Sequence, residues 1–257
     1  MTDNQQSFER LLKIMDELRE KCPWDREQTF QSLRSNTIEE TYELVDAINS
    51  NDIANIKKEL GDILLHVVFY SKMASEQQWF EISDVINALC DKLVYRHPHV
   101  FGETEVANAA QVVKNWEELK MKEKDGNKTV LSGVPQALPA LIKANRIQEK
   151  VRAVGFDWEE REQVWDKVQE ELNELREEVA AMNREKMEKE FGDLMFSMVN
   201  AARLYEIDPE AALEKTNRKF IKRFTYLEEN TIKKGRSLKD MTLDEMNVIW
   251  EEAKKFD

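Results

Sequence analysis

A pattern of four acidic residues occurs twice in this chain of 257 residues. In each copy two acids lie three positions apart, and after 15 further residues a second such pair follows, with Gly directly before its last acid. Residues three apart share one helix face, so two helices packed side by side can gather all four carboxylates. The pattern therefore predicts a duplicated helical unit. The acids are Glu40, Glu43, Glu59 and Asp62 in the first copy and Glu171, Glu174, Glu190 and Asp193 in the second.

Such a concentration of carboxylates predicts a bound cation. Without one, the acids would repel one another and raise their own pKa values. Hard divalent cations such as Mg²⁺ take oxygen ligands from carboxylates, waters and substrate phosphates. All eight acids are therefore predicted to be metal ligands, with Mg²⁺ as the cofactor and Mn²⁺ able to substitute for it.

The overall composition limits the class of protein. Charged residues make up 35% and hydrophobic residues 41%, with only seven Gly and five Pro, which is typical of a helix-rich protein. A net charge of −13 argues against direct nucleic-acid binding, because no basic excess can displace counterions from phosphates. The start of the chain has no apolar signal core, and the apolar runs are too short to span a bilayer. We therefore expect a cytoplasmic protein with no membrane contact.

The periodicity of apolar residues predicts an all-α fold of two tandem helical domains. We predict an N-terminal domain over 1–124, a linker and connecting helix over 125–153, and a C-terminal domain over 154–257. Helix starts are predicted at Asp52, Ser83 and Asp208, and a capping box at Thr242. The segment KEKDGNK is the clearest linker.

Two further motifs follow the acids in each copy. A Lys-x-x-x-Arg pair, Lys219 and Arg223 in the second copy, places two cations on one helix face, which suits phosphate oxygens. Trp250 follows in WEEAK, where its ring could stack on a nucleobase. Metal, cations and an aromatic ring together indicate a nucleoside polyphosphate, and metal-assisted hydrolysis of a phosphoanhydride is the reaction they favour. Glu170, next to the first acid, could bind a second metal or orient the attacking water.

Competing interpretations remain open at this point. Acidic runs on helices are usually solvated faces, although two copies with equal spacing and mostly different intervening residues are harder to explain in that way. A di-iron site needs Glu-x-x-His on two helices, and only His66 lies near an acidic motif, with Ser197 at its place in the second copy. Trp24 and Trp158, which precede the acidic helices, could fill a core or form the wall of a pocket. A non-catalytic nucleotide-sensing or partner-binding module is the alternative to an enzyme.

The chain resembles the MazG family of nucleoside triphosphate pyrophosphohydrolases. The resemblance rests on the two EExxE and ExxD pairs together with CPWD, RHPHVFG and VGFDW. It implies tandem domains that contribute to a four-helix-bundle-type core, Mg²⁺ dependence, and conversion of nucleoside triphosphates to monophosphate and pyrophosphate. It also implies a homodimer in which helices of both chains build the active bundle.

The resemblance also implies roles for individual residues in the C-terminal half. Its motif places the Mg²⁺ ligands at Glu171, Glu174, Glu190 and Asp193, and catalysis at Glu170, Glu171 and Glu174. The implied nucleotide contacts are Lys167, Glu170, Lys186, Lys189, Lys219, Arg223 and Trp250.

The two copies are unequal in their cations. Aligning the acids places Asn36 and Asn55 in the first copy where the second has Lys167 and Lys186. Losing two cations weakens binding of a triphosphate, so we expect the main catalytic site in the C-terminal half. The N-terminal site is expected to bind metal but to be weaker, different in specificity, or structural.

Overall fold

The structure is a computed structural model that describes residues 2–123 and 129–256. Within these ranges all regular secondary structure is helical, which confirms the all-α prediction. The chain divides into a first unit, Met1–Leu119, and a second unit, Lys120–Asp257. The domain boundaries drawn from the sequence stay a prediction, and most of the KEKDGNK linker lies outside the described residues.

Helices α1 to α7 begin in the first unit. They are α1 Asp3–Lys21, α2 Pro23–Glu27, α3 Phe30–Asn49, α4 Ile53–Glu76, α5 Ile82–Arg96, α6 Pro98–Phe101 and α7 Ala109–Lys122.

Helices α8 to α12 form the second unit. They are α8 Ala140–Arg152, α9 Val164–Ala180, α10 Arg184–Leu204, α11 Pro209–Thr231 and α12 Leu243–Ala253. Short 3₁₀ turns occur at Arg161–Gln163, Ile232–Lys234, Leu238–Asp240 and Lys254–Phe256. Every helix in the described ranges is too short or too polar to cross a bilayer.

Most of the predicted helix starts are confirmed. The Asp52 and Asp208 side chains accept hydrogen bonds from the N–H groups of Asn55 and Ala211, and Thr242 forms its capping box. The cap at Ser83 was wrong. There Asp84 accepts the N–H of Glu81 at 2.8 Å, so α5 begins at Ile82 and Ser83 lies inside its first turn.

Each acidic motif lies on a helical hairpin, α3–α4 in the first unit and α9–α10 in the second. The turns between the helices have the same form. Asn51 and Met182 occupy equivalent positions and both have a φ of 53°, in the left-handed region. The next residues, Asp52 and Asn183, cap α4 and α10 through their side chains. The duplication seen in the sequence is therefore also a duplication of local structure.

The helix that packs beside each hairpin completes the unit. In the first unit α1 contacts α4, and Met15, Leu33, Val68, Phe69 and Met73 form a buried core. In the second unit α8 contacts α10 and α11, so the predicted connecting helix is an integral part of the packing.

Candidate metal and nucleotide site

The C-terminal acids converge where α9 lies against α10. One oxygen from each of Glu171, Glu174 and Glu190 lies within 4.8 Å of the other two. Glu171 and Glu190 are buried, whereas Glu174 is exposed. The structure thus brings three of the four predicted ligands together, and Asp193 is joined to Glu190 through a shared lysine. Their role as ligands stays a prediction.

Two lysines balance this cluster, which we call the C-terminal acid cluster. Lys167 Nζ lies 2.9 Å from Glu170 Oε1 and 2.8 Å from Glu171 Oε1. Lys189 Nζ lies 2.9 Å from Glu190 Oε1 and 3.2 Å from Asp193 Oδ2. Hydrogen bonds to Glu171 and Glu170 raise the pKa of Lys167, so its ammonium stays charged.

Two features show that a divalent cation fits the C-terminal acid cluster. Partial desolvation, followed by repulsion from Glu171 and Glu190, raises the pKa of Glu174. Glu190 Oε2 is buried and has no hydrogen-bond partner in the described residues. A buried, unpartnered carboxylate oxygen is rare and commonly marks a bound ion or water. The all-oxygen donor set matches the preference of Mg²⁺.

The first unit holds an equivalent N-terminal acid cluster. Oxygens of Glu40, Glu43 and Glu59 lie within 4.8 Å of one another. Lys58 Nζ lies 2.8 Å from Glu59 and 3.8 Å from both Glu43 and Asp62. Desolvation, and then the charges of Asp62, Glu43 and Glu59, raise the pKa of Glu40. Glu59 Oε2 is buried without a partner, just as Glu190 Oε2 is.

The other predicted nucleotide contacts lie at two separate locations, the turn end of the hairpin and the helices α11 and α12. Lys186 lies at the turn end of the hairpin, 3.1 Å from Glu178. Lys219 is exposed on α11, and one turn later the Arg223 guanidinium lies 5.7 Å from the centre of the Trp250 ring on α12. The structure therefore groups Arg223 with Trp250 and groups Lys167 and Lys189 with the acids.

A cavity of about 570 Å³ adjoins the C-terminal acid cluster, and sequence reasoning missed it. Lys167, Glu171 and Asp193 contribute to its wall, together with residues of α8, α10 and the loop 155–158. Its volume lies within the range of small-molecule sites, roughly 300–1,000 Å³. The aromatic side chains in the lining are Phe156, Trp158 and Phe196, and the other lining residues are Ile147, Gln148, Val151, Gly155, Asp157, Val164, Ser197, Asn200 and Arg203.

The tryptophan before the second acidic helix has the role of a pocket wall. Trp158 lines the cavity and is 39% exposed, so it does not fill a core. The VGFDW motif was therefore the one sequence signal that could have located the cavity. Nothing in the sequence pointed to α8 as part of the cavity, because its contact with α10 forms only in the folded unit.

An ion pair between the buried Arg203 and Asp157 holds the loop 155–158 against α10. Arg203 Nη1 donates to Asp157 Oδ2 at 3.0 Å, and Arg203 Nη2 donates to Asp157 Oδ1. Arg203 also donates from Nε and Nη2 to Asn200 Oδ1 at 3.1 and 2.8 Å. Burial by itself would raise the pKa of Asp157, but the hydrogen bonds and charge of Arg203 outweigh it and lower that pKa. The cavity wall is thus fixed by paired charges.

Comparison with known proteins places the chain in a family. The model of the MazG nucleotide pyrophosphohydrolase domain matches residues 28–101 and 159–227, so one match covers each acidic hairpin. The chain is 45% identical over 250 residues to the nucleoside triphosphate pyrophosphohydrolase/pyrophosphatase MazG of Thermotoga maritima, which covers 96% of this chain and 95% of the relative. It is 41% identical to the nucleoside triphosphate pyrophosphohydrolase of Escherichia coli, over 96% of this chain and 97% of the relative.

A longer relative contains the same region. The uncharacterized protein YabN of Bacillus subtilis is 44% identical over 96% of this chain, which corresponds to 52% of the relative. The family model matches the chain twice, once at each acidic hairpin, and the Thermotoga maritima and Escherichia coli relatives match over nearly their full length. The chain belongs to the MazG family of nucleotide pyrophosphohydrolases.

Proposed function

We propose that the protein hydrolyses nucleoside triphosphates to nucleoside monophosphate and pyrophosphate, with Mg²⁺, mainly at the C-terminal acid cluster. The observation that carries the proposal is the convergence of Glu171, Glu174 and Glu190 beside a cavity of small-molecule size. The names of the Thermotoga maritima and Escherichia coli relatives support the substrate class. The location of the protein in the cytoplasm stays a prediction.

In this proposal the carboxylates have two roles, metal binding and activation of a water molecule. Glu171, Glu174, Glu190 and Asp193 would hold Mg²⁺, which Mn²⁺ could replace. When bound, the ion supplies positive charge to the phosphate oxygens and lowers the pKa of a water molecule. Glu170 is exposed beside Glu171 and accepts a hydrogen bond from Lys167, so it can orient a water molecule and take its proton.

The cations are placed to receive the phosphate chain. Lys167 contributes both to the acid cluster and to the cavity wall, so its ammonium can contact a phosphate that lies between them. Lys189 and Lys186 lie further along the same hairpin. The group formed by Lys219, Arg223 and Trp250 would approach the nucleotide from α11 and α12, where the guanidinium already lies over the indole ring.

A second copy of the chain is proposed to cover the acidic hairpin. Phe191, Met195 and Met198 on α10 are 51%, 58% and 46% exposed, which is a large apolar surface for one helix. Two hairpins from two chains would bury these side chains in a four-helix bundle. The homodimer is thus proposed from the exposed face and from the resemblance to the family.

The N-terminal acid cluster is proposed to bind metal with a lesser part in catalysis. Asn36 and Asn55 replace two lysines there. Lys58 approaches three of its acids, so one ammonium already balances much of the negative charge.

The test is product analysis with the full chain. Mixed nucleoside triphosphates are supplied with Mg²⁺, with EDTA, and with Mn²⁺ after EDTA, and monophosphate and pyrophosphate are measured separately. We expect equal amounts of the two products, loss with EDTA, and recovery with either metal. Release of orthophosphate in place of pyrophosphate, or no metal-dependent release from folded protein, would contradict the proposal.

A further inference from the structure

The hydrogen bonds of Thr37 fix which nitrogen of the His66 ring carries a proton. Thr37 Oγ1 donates its single proton to the carbonyl oxygen of Leu33 at 3.0 Å. The same oxygen lies 2.7 Å from the Tyr70 hydroxyl and 3.1 Å from His66 Nδ1. A hydroxyl has one proton to donate and two lone pairs, so both of these neighbours must donate to it. His66 Nδ1 is therefore protonated.

The other ring nitrogen of His66 carries a lone pair. Burial lowers the pKa of His66, with the charge of Asp62 opposing the shift, so the ring is neutral near pH 7. In a neutral imidazole with its proton on Nδ1, Nε2 only accepts. The residue is 7% exposed, and within the described part of the chain no group donates to Nε2. A buried acceptor without a donor calls for a ligand.

The ring lies on the face of α4 that carries the N-terminal acid cluster. His66 follows Glu59 by seven residues and Asp62 by four, so the three side chains share one helix face. Helical side chains lean toward the start of their helix, which tilts the ring toward Asp62. Across the hairpin, Thr37 precedes Glu40 by three residues, so the contact of His66 with Thr37 lies about one turn from the acids.

We propose that His66 supplies a nitrogen ligand to the N-terminal acid cluster and makes it a site for a metal ion that favours imidazole, such as Zn²⁺ or Fe²⁺. The inference rests on the metal binding that the proposed function assigns to this cluster, and not on hydrolysis. Glu59 Oε2, which is buried without a partner, and His66 Nε2 are two acceptors that such an ion satisfies. The Lys58 side chain is 60% exposed, so its ammonium can move into solvent when an ion binds.

The donor set separates this cluster from the one in the second unit. Imidazole suits ions such as Zn²⁺ and Fe²⁺, whereas Mg²⁺ prefers oxygen ligands alone. A histidine that binds a metal usually donates its other ring N–H to a fixed acceptor, which is the part that Thr37 takes here. In the second unit Ser197 occupies the position of His66 and donates to the carbonyl oxygen of Leu194 at 2.8 Å, so that position offers no nitrogen.

The experiment observes the histidine rings of the full chain by NMR. Protein labelled with ¹⁵N at histidine is titrated with Zn²⁺ and, separately, with Mg²⁺, and the signals missing in His66→Gln identify His66. Before metal is added, we expect the His66 ring to be protonated on Nδ1. Zn²⁺ should shift the Nε2 resonance of His66, because coordination takes up its lone pair, and Mg²⁺ should leave it in place.

Two variants connect this response to the acid cluster. Glu59→Gln removes one carboxylate, so the response of His66 to Zn²⁺ should disappear, while unchanged metal-free signals of His66 show that the variant is folded. His97→Gln is the matched control, since His97 lies at the end of α5, outside the hairpin. It should keep the full response of His66.

Affinity gives a second readout. Competition with a chromophoric chelator measures Zn²⁺ binding to the full chain. His66→Gln should weaken one class of Zn²⁺ sites by about tenfold or more and leave Mg²⁺ binding unchanged. Thr37→Val should weaken the same class by about tenfold, because it leaves the Nδ1 proton of His66 without its acceptor.

Three results would overturn the inference. They are a metal-free His66 ring protonated on Nε2, an Nε2 resonance that Zn²⁺ leaves unchanged or that Mg²⁺ shifts equally, and a Zn²⁺ response that persists in Glu59→Gln. The last would mean that the ion binds away from the acids. The spectra are recorded without nucleotide, so a failure to hydrolyse nucleoside triphosphates would remove the proposed function and leave this inference standing.

Discussion

The hairpins α3–α4 and α9–α10 carry the same acids but differ in what lies beside them. Both have a left-handed residue in the turn, a side-chain cap after it, three converging glutamates and one buried, unpartnered carboxylate oxygen. Beside the C-terminal acid cluster lies a cavity of about 570 Å³. Beside the N-terminal acid cluster two of the corresponding positions on α4 carry larger side chains.

Aligning the acids shows which residues make this difference. Phe69 takes the place of Asn200, and His66 takes the place of Ser197. Phe69 is 3% exposed and packs in the core of the first unit. His66 Nδ1 lies 3.1 Å from Thr37 Oγ1, and burial lowers the pKa of His66 despite the charge of Asp62. One acidic scaffold can thus support a ligand cavity in one copy and a packed core in the other.

A smaller cavity in the first unit fits this contrast. It has about 270 Å³ and is lined by residues of α1, α4 and the start of α5, with none of the four predicted ligands among them. A cavity without an adjoining acid cluster offers no place for a metal-bound triphosphate. The contrast supports the proposal that the main site lies in the second unit.

The largest expected effect concerns one phenylalanine on the second helix of each hairpin, Phe69 on α4 and Phe196 on α10. Phe69→Ala should lower the free energy of unfolding by about 3–5 kcal/mol, because it empties a packed core. Phe196→Ala should cost roughly 1 kcal/mol, since Phe196 is 42% exposed and already borders a cavity. Denaturant unfolding followed by circular dichroism measures both. Equal costs would show that the two units are packed alike.

The second effect is on kcat, compared between substitutions of two exposed glutamates at equivalent positions of the hairpins. Glu174→Gln should lower kcat by roughly 10²–10³, the usual loss when one electrostatic contact to the transition state is removed. Glu43→Gln, at the equivalent position, should lower kcat by less than about threefold if the main site is C-terminal. Initial rates of pyrophosphate release decide this. A larger loss in Glu43→Gln would place the main site in the first unit.

Sequence alone gave the acids, the hairpins and most helix caps, because these depend on residues close together in the chain. The positions of Glu171 and Glu190 on two facing helices follow from spacing and one turn. The cavity depends on α8 and the loop 155–158, which meet α10 only in the folded unit, so no spacing rule reveals Gln148 or Arg203. Ser83 failed as a cap because α5 begins before it, at Ile82, with Glu81 as the capping residue and Asp84 accepting the N–H of Glu81.

The third effect is stabilisation by metal. A ligand that binds only the folded state at 100 times its Kd stabilises by about 2.7 kcal/mol. Mg²⁺ should therefore raise the unfolding temperature of the second unit, and Glu174→Gln should remove most of that rise. Differential scanning calorimetry with Mg²⁺, compared with the same ionic strength of NaCl, measures it. An equal rise in the variant would mean that the ion binds elsewhere.

The smallest effect is on the pH dependence of stability without metal. Desolvation and neighbouring acids raise the folded-state pKa of Glu174 above its ordinary value of 4.5. The folded state then holds this proton more tightly than the unfolded state, so the free energy of unfolding should fall as pH rises from 4.5 through the raised pKa. Glu174→Gln should flatten that slope in metal-free unfolding curves. A steeper slope in the variant would contradict the assigned repulsion.

The most direct test is to count divalent ions and measure their affinity. Free Mn²⁺ is titrated with the full chain and followed by electron paramagnetic resonance, for the wild type, Glu174→Gln and Glu43→Gln. We expect Glu174→Gln to weaken one class of sites by about tenfold or more, with Glu43→Gln affecting a separate class. Binding curves that are identical for all three proteins would contradict the claim that the converging carboxylates hold a metal ion.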